Sequence, residues 1–145
     1  MRTFLYVTQS LCALVFSVAC VPAEKGRVFS PHASLREIQW TEEENAREVV
    51  LRTLRVTKEA SFHLVRVRTA EKPHVHDAHD GTVFVLAGRF LVHFGERSMV
   101  VGQGDVIEIP RGVPHWAENI HSESSEAYVI FTPPYDGKDW RPAGE

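Results

Sequence analysis

The chain has 145 residues, a formal net charge of -3, and 43% hydrophobic, 10% aromatic and 24% charged residues. This is the make-up of one ordinary globular domain and excludes disorder and fibrous repeats. Sixteen Lys and Arg against nineteen Asp and Glu leave no positive excess or basic run to neutralise a row of phosphates, so nucleic acid is not an expected partner. The two cysteines, Cys12 and Cys20, both lie in the first twenty residues, so any metal in the body must be held by nitrogen and oxygen.

Arg2 is followed by a mostly apolar stretch to Val21, the layout of a secretory signal peptide. Thr8-Gln9-Ser10 interrupts it, leaving it short of the roughly 20 apolar residues that a spanning helix needs. Ser17-Val18-Ala19-Cys20 resembles a bacterial lipoprotein box, in which cleavage after residue 19 would leave Cys20 as a lipidated N-terminus. Ser17 stands where such boxes prefer an aliphatic residue, so ordinary cleavage after Ala19 or Ala23 is the alternative. The expectation is export to the periplasm or cell envelope, with membrane contact only through the lipid. Loss of residues 1–19 removes one Arg and leaves fifteen basic and nineteen acidic residues, a mildly acidic mature protein. Residues 20–40, with Gly26, Ser30 and Pro31, read as a tether or arm before a domain over 41–145.

Thr41-Glu42-Glu43-Glu44 has the form of a capping box and predicts a short helical turn. Short β-prone runs bounded by Gly and Pro follow, over 48–57, 61–69, 82–87, 89–94, 98–101, 105–109 and 126–132. Starts roughly 8 to 12 residues apart are the mark of an all-β sandwich or barrel. Phe94-Gly95-Glu96-Arg97 predicts a tight hairpin, Gly95 supplying the positive φ that a type II′ turn needs at its first central position.

Three histidines fall in one hexapeptide, His74-Val75-His76-Asp77-Ala78-His79, with Asp80 next. On an extended strand His74 and His76 share a face, their Cα atoms about 6 to 7 Å apart, and can chelate one ion. Lys72-Pro73 makes the entry to that strand extended. Downstream, Gly104, Pro110, Gly112, His115 and Asn119 stand at the spacing Gly, five residues, Pro, one residue, Gly, two residues, His, three residues, Asn. This pattern resembles the second motif of the cupin superfamily at every fixed position. The first cupin motif is matched by His74, His76 and Gly88, but its opening Gly is replaced by Arg68 and its Glu by Gly81.

The resemblance covers residues 48–132 and implies a cupin-type jelly-roll β-barrel, or double-stranded β-helix, with His74, His76 and His115 converging on one divalent ion. Its identity is open among Fe, Mn, Ni and Zn. Two residues compete for the fourth ligand. Asp80 lies one residue before the empty slot and brings a negative charge; His79 has the same strand parity as Gly81 and a long enough ring. Carboxylate chemistry favours Asp80. His32, His63, His93 and His121 are expected to be structural or solvent-facing, and Asn119 to serve a turn.

Two functions follow. One is a metal-dependent enzyme acting on a small molecule, of oxygenase or isomerase type. The other is a non-catalytic module that binds a small ligand or metal at the envelope. No Ser or Cys nucleophile with a matched base is apparent, which disfavours covalent catalysis. A homodimer paired through barrel edges is the expected assembly.

Overall fold

The computed structural model describes residues 24–29 and 39–144. The leader, Cys20 and most of the 20–40 arm lie outside the described residues.

Thr41 caps a single helical turn, α1 (Glu42–Ala46), through the reciprocal capping box: its hydroxyl accepts the Glu44 N–H, and the Glu44 carboxylate accepts the Thr41 N–H. Ten strands follow: β1 (Val49–Val56), β2 (Ser61–Val67), β3 (His74–Val75), β4 (Asp80–Ala87), β5 (Arg89–Phe94), β6 (Arg97–Gly102), β7 (Val106–Ile109), β8 (His115–Asn119), β9 (Ser125–Thr132) and β10 (Arg141–Pro142). They form two five-stranded sheets, in the orders β1-β2-β9-β4-β7 and β10-β3-β8-β5-β6, and every pairing is antiparallel. The chain alternates between the sheets, as a jelly roll does, so the expected all-β barrel stands.

All seven strands expected from β-propensity are present. Strand β8 carries no such signal, because His115-Trp116-Ala117-Glu118-Asn119 has no β-branched residue. It is held by pairing: residues 115–119 match Phe94 back to Phe90 on β5, and His74 on β3 sits directly opposite His115. At the β5–β6 turn the positive φ falls on Gly95, at 57°, and on no non-glycine residue, the distribution of a type II′ turn. Gly88 is required for a second reason: at φ 78° its absent Cβ would lie 2.1 Å from the Ser125 hydroxyl oxygen. That hydroxyl accepts Arg89 N–H at 2.8 Å and donates to the Asn119 amide oxygen at 2.6 Å, while the Asn119 amide nitrogen donates to Arg68 O and Glu123 O. Asn119 thus serves the turn, as expected.

Val67, Val85, Phe90, Val92, Val101, Ile107, Ala127, Val129 and Phe131 pack between the sheets into one core. Several of the same residues, Val67, Val92, Ile107 and Val129 among them, also wall a cavity of about 490 Å³ between the sheets. Residues 24–29 have no regular structure but lie against the barrel, through Gly26 N–H to Leu86 O at 2.8 Å and the Lys25–Glu126 ion pair.

Candidate metal centre

His74 enters the cavity from β3, His76 from just beyond it, and His115 from the start of β8. Pro110 ends β7, and Gly112, at φ 77°, turns the chain so that its N–H reaches His76 O at 2.7 Å. That turn carries His115 across to its place opposite His74. One ring nitrogen from each of the three lies within 4.8 Å of the others. The ring centroids are 4.3 Å apart for His74 and His115, 5.0 Å for His74 and His76, and 5.4 Å for His76 and His115. All three residues are buried.

Their hydrogen bonds decide which nitrogens face one another. His74 Nδ1 is 2.8 Å from Lys72 O, His115 Nδ1 is 2.8 Å from Val113 O, and His76 Nδ1 meets Asp139 O. A carbonyl oxygen only accepts, so each ring is assigned the Nδ1–H tautomer and carries its lone pair on Nε2. No described residue hydrogen-bonds to any of the three Nε2 atoms. Burial holds His74 and His115 below the usual imidazole range, His115 at about 4, and the neighbouring histidines add to the effect. Three rings held in this way, with unpartnered nitrogens close to one another, fit a divalent cation such as Zn(II), which three imidazoles hold with an open position for a ligand.

Asp80 and His79 do not join this cluster. Along β4 the inward side chains include Val83 and Val85, while Phe84 is exposed. Asp80, one residue out of step with the Gly81 slot, therefore faces outward, since successive side chains on a strand alternate. There Arg111 engages it through its backbone N–H at 2.9 Å and through its guanidinium, holding the carboxyl down at about 2. His79 is buried, but both its nitrogens face acceptors: Nδ1 the Asp139 carboxylate at 2.5 Å and Nε2 Pro134 O at 3.0 Å. Both ring nitrogens are thus engaged by the Asp139 carboxylate and by the Pro134 carbonyl, away from the three-histidine cluster. Gly81 itself lies against Phe131 and Ile109, whose atoms stand 3.5 and 3.6 Å from where a Cβ would be.

Two acids line the cavity, Glu48 and Glu71, and sequence reasoning singled out neither; Glu48 is exposed and paired with Arg68, whereas Glu71 is held inside. Glu71 lines the same cavity as the histidines; its N–H donates to Ala117 O at 2.9 Å, and its carboxylate accepts Ala117 N–H at 3.0 Å. It thus replaces the neighbouring strand that β8 lacks at this point. Burial pushes this carboxyl up to about 7, against the smaller lowering effect of the Ala117 hydrogen bond. Nothing in Ala70-Glu71-Lys72-Pro73 signals that role, which arises from contact with a strand 46 residues away. The remaining walls are chiefly apolar, with Val67, Val83, Val92, Ile107, Ile109 and Val129 from both sheets. Trp116, stacked on His93 at 4.2 Å, and Trp140, stacked on His74 at 5.6 Å, also line the cavity.

Known proteins share this fold. The family described as "Cupin domain" matches residues 62–131. An uncharacterized protein of Aquifex aeolicus (strain VF5) is 35% identical over 114 residues, spanning 77% of this chain and 93% of that protein. Among solved structures, an uncharacterized conserved protein with a double-stranded β-helix domain from Klebsiella pneumoniae superposes with a TM-score of 0.59 at 18% identity, covering 76% of this chain and all of that one. A variant of PAC13 from Streptomyces, determined with uridine, superposes with a TM-score of 0.58 at 19% identity, covering 73% and 90% of the two chains. At these identities the superpositions speak to the fold alone.

Proposed function

The chain belongs to the cupin superfamily, and on that premise we propose that it is an exported metal-dependent enzyme acting on a small, largely apolar molecule. The observation that carries this reading is the set of three backbone-held Nδ1–H groups, which leaves three Nε2 lone pairs facing one another at the end of an apolar cavity. His74, His76 and His115 would hold a divalent ion, Fe, Mn, Ni or Zn, whose chemistry is Lewis acidity toward a ligand oxygen or activation of dioxygen. The remaining steps belong to the chain. The valine and isoleucine walls strip water from the body of the ligand, and Trp140 bounds it beside His74. Glu71, poised near neutrality, can take a proton from the ligand or return one to it. Export is supported by the leader-like first nineteen residues, with Cys20 as a lipid attachment point. The homodimer stands as part of the proposal; sedimentation as a monomer at micromolar concentration would remove it.

The alternative is a binding module that captures a small ligand or metal without turning it over, which the envelope setting favours. Elemental analysis of the purified protein, with oxygen uptake and product formation followed over a panel of diketones, phenols and thiols, separates the two. Stoichiometric metal with turnover that His115→Ala abolishes supports the enzyme. Stoichiometric metal with no turnover supports the module, and no bound metal refutes the metal-dependent enzyme.

A further inference from the structure

Residues 133–142 leave β9 and run back across the end of the barrel that holds the three histidines, beyond the matched region 62–131. β10, at the end of this strap, pairs with β3, setting Pro142 opposite His74 and Arg141 opposite Val75. Trp140 stacks on His74 with an interplanar angle of 24°. Asp139 makes the densest set of contacts. Its Oδ1 accepts Asp77 N–H at 2.9 Å, its Oδ2 accepts Ala78 N–H at 2.9 Å and faces His79 Nδ1, and its backbone oxygen accepts from His76 Nδ1.

His76 differs from its two companions in where that acceptor comes from. His74 and His115 each use the carbonyl two residues earlier, Lys72 O and Val113 O, so the local backbone orients those rings wherever the segment folds. The acceptor for His76 lies 63 residues away in sequence. Its ring is oriented only while the strap is seated, and the Asp139 carboxylate seats it by engaging two successive backbone N–H groups and His79 in the turn that follows His76.

We propose that the strap is a working part of the metal centre, with Asp139 a positioning residue that fixes the tautomer and direction of His76. This rests on the reading of the three histidines as metal ligands. The carboxylate clamps the 77–79 turn to the strap, the clamp holds the Asp139 carbonyl against His76 Nδ1, and that bond keeps Nε2 aimed at His74 and His115. Loss of such a supporting partner typically lowers metal affinity by roughly 10- to 100-fold.

The test uses the full chain, with Co(II) as the probe, as wild type, Asp139→Asn and Asp139→Ala. Cobalt affinity is measured by chelator competition, and the visible Co(II) spectrum is recorded alongside. The His76 tautomer is read in the metal-free protein by ¹⁵N NMR of the imidazoles. Expected are an Nδ1–H tautomer for wild-type His76, a mixture in Asp139→Ala with cobalt affinity lowered roughly 10- to 100-fold and an altered spectrum, and partial rescue in Asp139→Asn, which keeps one acceptor oxygen. A merely structural role would lower the melting temperature and leave affinity, spectrum and tautomer unchanged, which overturns the proposal. Should Asp139→Ala fail to fold, Asp139→Asn decides alone: wild-type affinity and tautomer refute. If wild type binds no cobalt, the metal reading fails, while the tautomer in the variants still decides whether Asp139 positions His76.

Discussion

Replacing Glu71 by Gln should stabilise the metal-free protein above neutral pH and leave it unchanged in acid. The carboxyl titrates at about 7 in the folded chain against 4.5 in its ordinary setting, because the cavity wall disfavours the charge. Below 4.5 both states are protonated and there is no penalty. Between 4.5 and 7 the unfolded chain has released a proton that the folded chain retains, so wild-type stability falls as pH rises through that window and then levels off. At about 1.36 kcal/mol per pKa unit the shift corresponds to about 3 kcal/mol; screening at a partly exposed side chain reduces this to about 2 kcal/mol. The Glu71→Gln side chain keeps an oxygen for Ala117 N–H, so the bond that supports β8 survives. Urea denaturation of wild type and Glu71→Gln from about pH 4 to 9, in excess chelator, should give curves that meet at the acid end. They should separate by about 2 kcal/mol at the alkaline end, or about 8 °C in melting temperature for a domain of this size. Parallel curves across the whole range, or a wild type that is the more stable at alkaline pH, would refute the reasoning.

His74 and His115 have the opposite sign. His115 is depressed from 6.5 to about 4, so unfolded chains gain a proton below pH 6.5 that the folded chain does not gain until about pH 4. Metal-free Glu71→Gln protein should therefore lose about 3 kcal/mol across that window, read by denaturant titration, and His115→Gln in that background should flatten the slope. Gly88→Ala should cost more than about 3 kcal/mol, since the new methyl meets the Ser125 hydroxyl and the φ of 78° is strained for any L side chain; a wild-type melting temperature would contradict the packing. Asp80→Asn should leave metal affinity unchanged, because the carboxylate faces Arg111 outside the cavity; a roughly tenfold loss by chelator competition would restore it as a ligand.

The parts of this protein legible in its sequence are those set by neighbours along the chain. Alternation and Gly-Pro punctuation locate seven strands, Gly95 its hairpin and Thr41 its cap, and the spacing around Pro110 and Gly112 brings His115 to the His74–His76 pair. Each is decided within a few residues, by φ preference, strand parity or local hydrogen bonding. The choice between Asp80 and His79 is not of that kind. Spacing says that both are near enough, but Arg111, 31 residues on, engages Asp80, and Asp139, 60 residues on, engages His79. Glu71 and Asp139 likewise acquire their places from Ala117 and His76. A lone pair is available to a ligand only if no other group has claimed it. Claimants that come from distant segments are assembled by packing alone, so only the folded chain decides which side chains remain free.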